Sequence, residues 1–178
     1  MKGWRPFKPE ELSGDTQKVY DALNHESDLA CVLIGASYLA ELLASMLKAS
    51  FIESSVSDKI LNPQRGAVGE FAARADMAYC LGLIDKSIYK DIMQVAEIRN
   101  LFAHKHFALD FGDATIRDAC EKLQAWRTLF GEGEQPSSQA TQDQMQVRAR
   151  NQFNRSIALL GTQINIKALA KTQERKKA

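Results

Sequence analysis

The sequence predicts an all-α protein: a bundle of about six helices with no convincing β-strand. Three observations carry this. Apolar residues recur at helical spacing, as in Ile88, Ile92, Val95, Ile98, Leu101 and Phe102. Residues suited to helix N-caps stand before such runs, at Asp15, Ser27, Asp85 and Asp113. Turn-forming pairs fall between two of them, at Asn62-Pro63 and Arg65-Gly66.

Taken in order, the first dozen residues read as extended, because Pro6 and Pro9 resist helix. Asp15 caps a short helix carrying Val19, Tyr20 and Leu23. Ser27 or Asp28 starts a longer one reaching about Phe51; it is apolar on nearly every face, so it belongs at the centre. Residues 52–66 read as a loop with one turn. A third helix is expected over about 68–83, with Phe71, Ala75, Ala78, Tyr79 and Gly82 near one face. A fourth follows Asp85 to about Lys105. Residues 107–113 are a loop. A fifth helix, capped by Asp113 or Thr115, runs to about Phe130 with Ile116, Cys120, Leu123 and Trp126 inward. The last carries the stripe Phe153, Ile157, Leu160 and Ile164.

These elements divide the chain into a helical bundle over 1–130, a linker over 131–142 and a C-terminal basic helix over 143–178. The linker is rich in Gly, Glu, Ser and Gln. The last helix is expected to pack on the bundle or on a partner subunit.

A length of 178 residues at 45% hydrophobic content suffices for one domain with a real core. No run reaches the roughly 18 apolar residues of a membrane span, since Ser37, Glu41 and Ser45 interrupt 29–47. The N-terminus lacks a signal-peptide core, so a cytoplasmic protein is expected, with no membrane partner. Cys31, Cys80 and Cys120 are odd in number and widely spaced, and read as reduced thiols in helix cores. Net charge is +1, but 144–178 holds eight Lys and Arg against Glu174 alone, leaving the rest of the chain acidic. Lys167, Lys171, Arg175, Lys176 and Lys177 are therefore candidate contacts to RNA or DNA, the alternative being a solvated helix face. Walker, Rossmann and zinc-protease motifs are absent, and no cofactor or metal site is expected; His106 beside His104 has no carboxylate cluster to make one.

Most chemistry is concentrated in Arg99-Asn100-Leu101-Phe102-Ala103-His104. Asn100 and His104 share a helix face, and Arg99 lies roughly 140° from His104. Two such helices meeting in a homodimer would bring the groups closer. Arginine holds a phosphate, histidine moves a proton near neutral pH, and an RNA 2′-hydroxyl supplies its own nucleophile, so metal is not needed. The structural alternative is an arginine paired with a buried acid and a histidine favouring a helix C-terminus. Glu41, alone in an apolar helix, needs a partner, with Arg74 and Arg99 as candidates.

Arg99-Asn100-x-x-x-His104 resembles the Arg-x4-6-His signature of the HEPN superfamily of helical, often dimeric proteins, many of them metal-independent ribonucleases. A longer stretch resembles the mannitol-repressor (MtlR) family over about 36–126. It is carried by Gly66-Ala67-Val68-Gly69-Glu70-Phe71-Ala72-Ala73-Arg74, Ala78-Tyr79-Cys80-Leu81-Gly82-Leu83-Ile84, Tyr89-Lys90-Asp91-Ile92 and Ile98 to His104. The resemblance implies an all-α MtlR/HEPN-like fold and a transcriptional regulator. On this reading the chain is a repressor working through protein contacts or non-specific nucleic-acid contacts. A HEPN-type ribonuclease using Arg99, Asn100 and His104, and a non-catalytic oligomerisation module, are the alternatives.

Overall fold

A computed structural model describes residues 15–104, 109–130 and 141–177. Eight helices lie among them: α1 (Asp15–His25), α2 (Asp28–Ser50), α3 (Ser55–Leu61), α4 (Phe71–Cys80), α5 (Lys86–His104), α6 (Ala114–Glu121), α7 (Ala125–Phe130) and α8 (Gln142–Lys177). The described residues contain no strand.

Helix α2 is the centre of the molecule. Its apolar composition and 23-residue length would suit a membrane span, but Leu39, Leu42, Leu43, Met46 and Leu47 are fully buried inside the bundle. Helices α1, α4, α5 and α8 all pack on it. Ser27 caps it, its Oγ accepting from the Ala30 amide at 3.3 Å. Asp28 is thereby released for a longer reach. Its carboxylate accepts from the Phe111 amide (2.9 Å), Gln146 Nε2 (3.0 Å) and Arg150 Nη1 (2.6 Å), tying α2 to the α5–α6 loop and to α8. Arg150 also donates to the Leu23 carbonyl at 2.8 Å. One of the residues expected to make the C-terminal segment basic is thus committed inside the fold.

The C-terminal helix, expected to pack on the bundle or on a partner subunit, packs on the bundle and contributes to its core. Phe153, Ile157, Leu160 and Ile164 are all fully buried, and α8 packs on α1, α2, α5, α6 and α7. Residues 131–140 of the expected linker lie outside the described residues, as do the N-terminal segment expected to be extended and His106.

Three local differences from the sequence expectation have physical causes. The expected loop at 52–66 contains α3. A capping box starts this helix, with Ser54 Oγ accepting from the Ser57 amide (3.2 Å) and Ser57 Oγ from the Ser54 amide (3.4 Å). With serine in place of the usual glutamate, and only seven residues, it has little periodicity to read.

The third expected helix begins at Phe71 rather than Val68, because Gly66 and Gly69 fold back on the end of α3. A Cβ on Gly66 would stand 2.2 Å from the Ile60 carbonyl oxygen, and one on Gly69 2.3 Å from that of Asn62. The helix stops at Cys80 in a Schellman turn: Gly82 takes φ +66°, its amide bonds Tyr79 O, and the Leu83 amide bonds Ala78 O. Tyr79 consequently lies outward, stacked on Tyr89 at 4.8 Å, and Cys80 is exposed rather than in a core. Cys31 and Cys120 are buried; burial pushes the Cys31 thiol up to about 12 and the Cys120 thiol up as well.

The single helix expected over 114–130 is two. Asp91, almost fully buried on α5, accepts from the amides of Gln124 (2.9 Å) and Ala125 (2.6 Å) and so caps α7 from a distance. Burial raises the Asp91 pKa, and the two amides oppose that rise. No breaker marks 122–124, so the division is written in α5 instead. Ile116, Cys120, Leu123 and Trp126 do point inward.

Candidate functional site

Asp85 starts α5, its Oδ1 accepting from the amides of Ser87 (2.9 Å) and Ile88 (3.0 Å). Ile88, Ile92, Val95, Ile98 and Phe102 then turn into the core. That phase leaves Glu97, Arg99, Asn100 and His104 on the surface. Arg99 Nη1 donates to Asn100 Oδ1 at 3.1 Å. His104 is the last residue of the helix, with its ring exposed.

Two neighbouring hollows meet along this helix. One, of about 450 Å³, is framed by Ser37 and Glu41 on α2, Arg74 on α4, and Arg99 and Asn100 on α5. The other, of about 560 Å³, has Met93, Glu97, Leu101 and His104 on α5 facing Ala72 of α4. Ala72, Ala96 and Asn100 border both. The residues singled out in the sequence therefore lie on one face, but Arg99 and His104 line different hollows with Asn100 between them.

Beneath this face Arg74 is 2% exposed. Its Nη1 donates to the Ala40 carbonyl (2.8 Å), its Nη2 to Leu61 (3.1 Å) and its Nε to Val68 (3.3 Å). Glu41 Oε1 stands 3.5 Å from Nη1, with the glutamate side chain still 25% exposed. Burial lowers the Arg74 pKa, and Glu41 counters it. Glu41 thus faces Arg74, while Arg99 turns to Asn100. Arg74 fastens α2, α3 and the glycine turn to α4, which sets the floor of the first hollow.

Lys171 pairs with Glu174 at 2.8 Å, and Lys167 is partly buried. The side chains of Arg175, Lys176 and Lys177 lie outside the described residues. No cluster of His, Cys, Asp and Glu suited to a metal occurs among the described residues.

Asp28, Asp91 and Arg150 were not singled out by the sequence reading. Asp91 carried a signal, since it sits among Ile88, Ile92 and Val95 on the stripe that turns inward. Asp28 and Arg150 carried none, because their partners are over a hundred residues apart in the chain.

A family model described as mannitol repressor matches residues 15–170. The chain belongs to the mannitol repressor family. The match includes most of α8, beyond the stretch legible from motifs. Membership gives the protein a regulator-type role. Among solved structures, it is similar to the chain in the X-ray structure of the MtlR–HPr complex from Escherichia coli, at 18% identity and a TM-score of 0.71, covering 86% of this chain and 99% of that one. It is also similar to a possible transcriptional regulator, YggD, from Shigella flexneri, at 13% identity and a TM-score of 0.68, covering 84% and 98%. At these identities the likenesses carry the fold. No curated protein matches the chain significantly.

Proposed function

We propose that this mannitol repressor family member is a cytoplasmic repressor that works by protein contact, receiving a small HPr-like protein on the α4–α5 face. The observation that supports this reading is the similarity to the MtlR chain of the MtlR–HPr complex, over 99% of that chain's length. The face has the composition such contacts use. Partly buried Met93 and Leu101 make an apolar centre, and Glu97, Asn100 and His104 make a polar rim. Calorimetric titration with purified HPr should give saturable binding. Leu101→Arg should weaken it by about 2 kcal/mol, the scale of an interface hot spot. Absence of binding, or binding indifferent to Leu101→Arg, would refute the assignment.

A second reading is favoured by one observation: Arg99, Asn100 and His104 are all exposed on the last turns of α5, where substrate could reach them. In a homodimer, Arg99 of one copy would hold the RNA phosphate while His104 of the other moves the proton. The two readings predict opposite results with transfer RNA in EDTA. For the repressor the RNA stays intact. For a ribonuclease it is cut, light scattering gives a dimer, and His104→Ala slows cleavage by about 10²–10⁴.

A further inference from the structure

The α4–α5 face continues past Met93 and Leu101. On α4, Ala72, Asp76 and Tyr79 recur at i, i+4 and i+7. On α5, Tyr89, Met93, Glu97, Asn100 and His104 keep the same spacing. The two stripes run side by side. Ala72 meets Asn100 and His104 in the second hollow, and Tyr79 meets Tyr89 at the opposite end. Helical rise puts Tyr89 about 22 Å from His104 along the axis.

At the far end two aromatic rings and a carboxylate stand together. Tyr79 and Tyr89 stack with ring centroids 4.8 Å apart and planes 21° apart. Tyr89 Oη donates to Asp76 Oδ1 at 2.9 Å. That bond is the main cause of a raised Tyr89 pKa, so the hydroxyl stays a donor. Yet the group lies open to water: Tyr79 is 40% exposed, Leu81 beyond it 49%, and Asp76 is exposed. Large apolar side chains left in contiguous contact with water beside a polar rim mark a surface that a partner covers. The carboxylate also has no cation. Lys86 and Lys90 flank Tyr89 in the chain, but neither pairs with Asp76, and no other Lys or Arg among the described residues does.

An uncompensated acid beside exposed aromatic surface specifies a flat cation on an apolar stem. A guanidinium bonds a carboxylate in its own plane while its face lies on a ring, and its methylenes cover neighbouring apolar surface. The compact charge of lysine answers only the carboxylate. We propose that Asp76, Tyr79 and Tyr89 anchor an arginine side chain of the protein that docks on the α4–α5 face. This rests on the reading of that face as the seat of an HPr-like protein, and adds a second point of contact to it. Both points fall within one interface of about 800 Å² a side. Two points so far apart fix the orientation of the partner, which an apolar centre alone leaves free.

The test is calorimetry of the full chain with purified HPr. Asp76→Asn keeps an acceptor for Tyr89, so its thermal midpoint should hold. Its affinity for HPr should fall about tenfold, as for losing a hydrogen bond between charged groups. Tyr79→Leu keeps apolar bulk and removes the ring; affinity should fall about two- to fivefold, the scale of an exposed cation–π contact. That variant also serves if Asp76→Asn does not fold. HPr whose arginines are blocked with cyclohexanedione should close the gap between wild type and Asp76→Asn, because the two changes remove the same interaction. If HPr does not bind the wild type, the docking reading falls and this proposal with it. If HPr binds and Leu101→Arg weakens it, while folded Asp76→Asn and Tyr79→Leu bind as the wild type does, the docking reading stands and the arginine anchor is overturned. A gap that survives cyclohexanedione and closes on acetylating the lysines of HPr would also overturn it.

Discussion

Arg74→Ala should destabilise the fold by about 3–5 kcal/mol, the range for breaking a buried charge from its partners. The cost comes chiefly from what stays behind. The carbonyls of Ala40, Leu61 and Val68, on three different segments, lose the donor that joins them. The vacated space lies under the glycine turn, where close packing leaves little freedom to collapse. Glu41 contributes less, because its side chain is a quarter exposed and water can replace the arginine. Glu41→Gln should therefore cost under about 1 kcal/mol. Urea unfolding of both variants separates these contributions. Comparable losses in the two would mean that the ion pair, and not the carbonyl bonds, carries the stabilisation. Arg74→Ala should also loosen the first hollow, since Arg74 positions α4 against α2.

The sequence conveyed those features whose cause is local. The central position of α2 followed from apolar residues on nearly every face, and the phase of α5 from the spacing of Ile88 to Phe102. Whether Arg99 and His104 face solvent was left open by the sequence; the structure shows Arg99, Asn100 and His104 exposed. Features with a distant cause were not legible. The break between α6 and α7 depends on Asp91, more than thirty residues earlier. The start of α4 depends on contacts between Gly66, Gly69 and the end of α3, which the dipeptide Arg65-Gly66 signalled only as a turn. The charge of 144–178 was read correctly as composition. It left nucleic-acid contacts and a solvated helix face as alternatives, because the sequence could not show that Arg150 reaches Asp28.

The same contrast decides where the folding unit ends. A chain cut after residue 130 should not fold cooperatively. It would lose Phe153, Ile157, Leu160 and Ile164, all fully buried in the intact protein. At about 1.5–3 kcal/mol for each fully buried side chain of this kind, the loss matches the net stability of about 5–15 kcal/mol typical of a domain. The face of α2 that α8 covers would then meet water. Polar losses add to this. Asp28 would lose Arg150 and Gln146, and Cys31 would lose Asn154 Oδ1, to which its thiol donates at 3.1 Å. The fragment should retain some far-ultraviolet helix signal, bind a hydrophobic dye and show no sigmoidal transition in urea, whereas the full chain gives a single one. Supplying residues 141–178 as a separate peptide should restore the transition in a concentration-dependent way, because α8 makes its contacts through side chains and not through chain continuity. A fragment that unfolds cooperatively without the peptide would show that the bundle over 1–130 is a folding unit by itself.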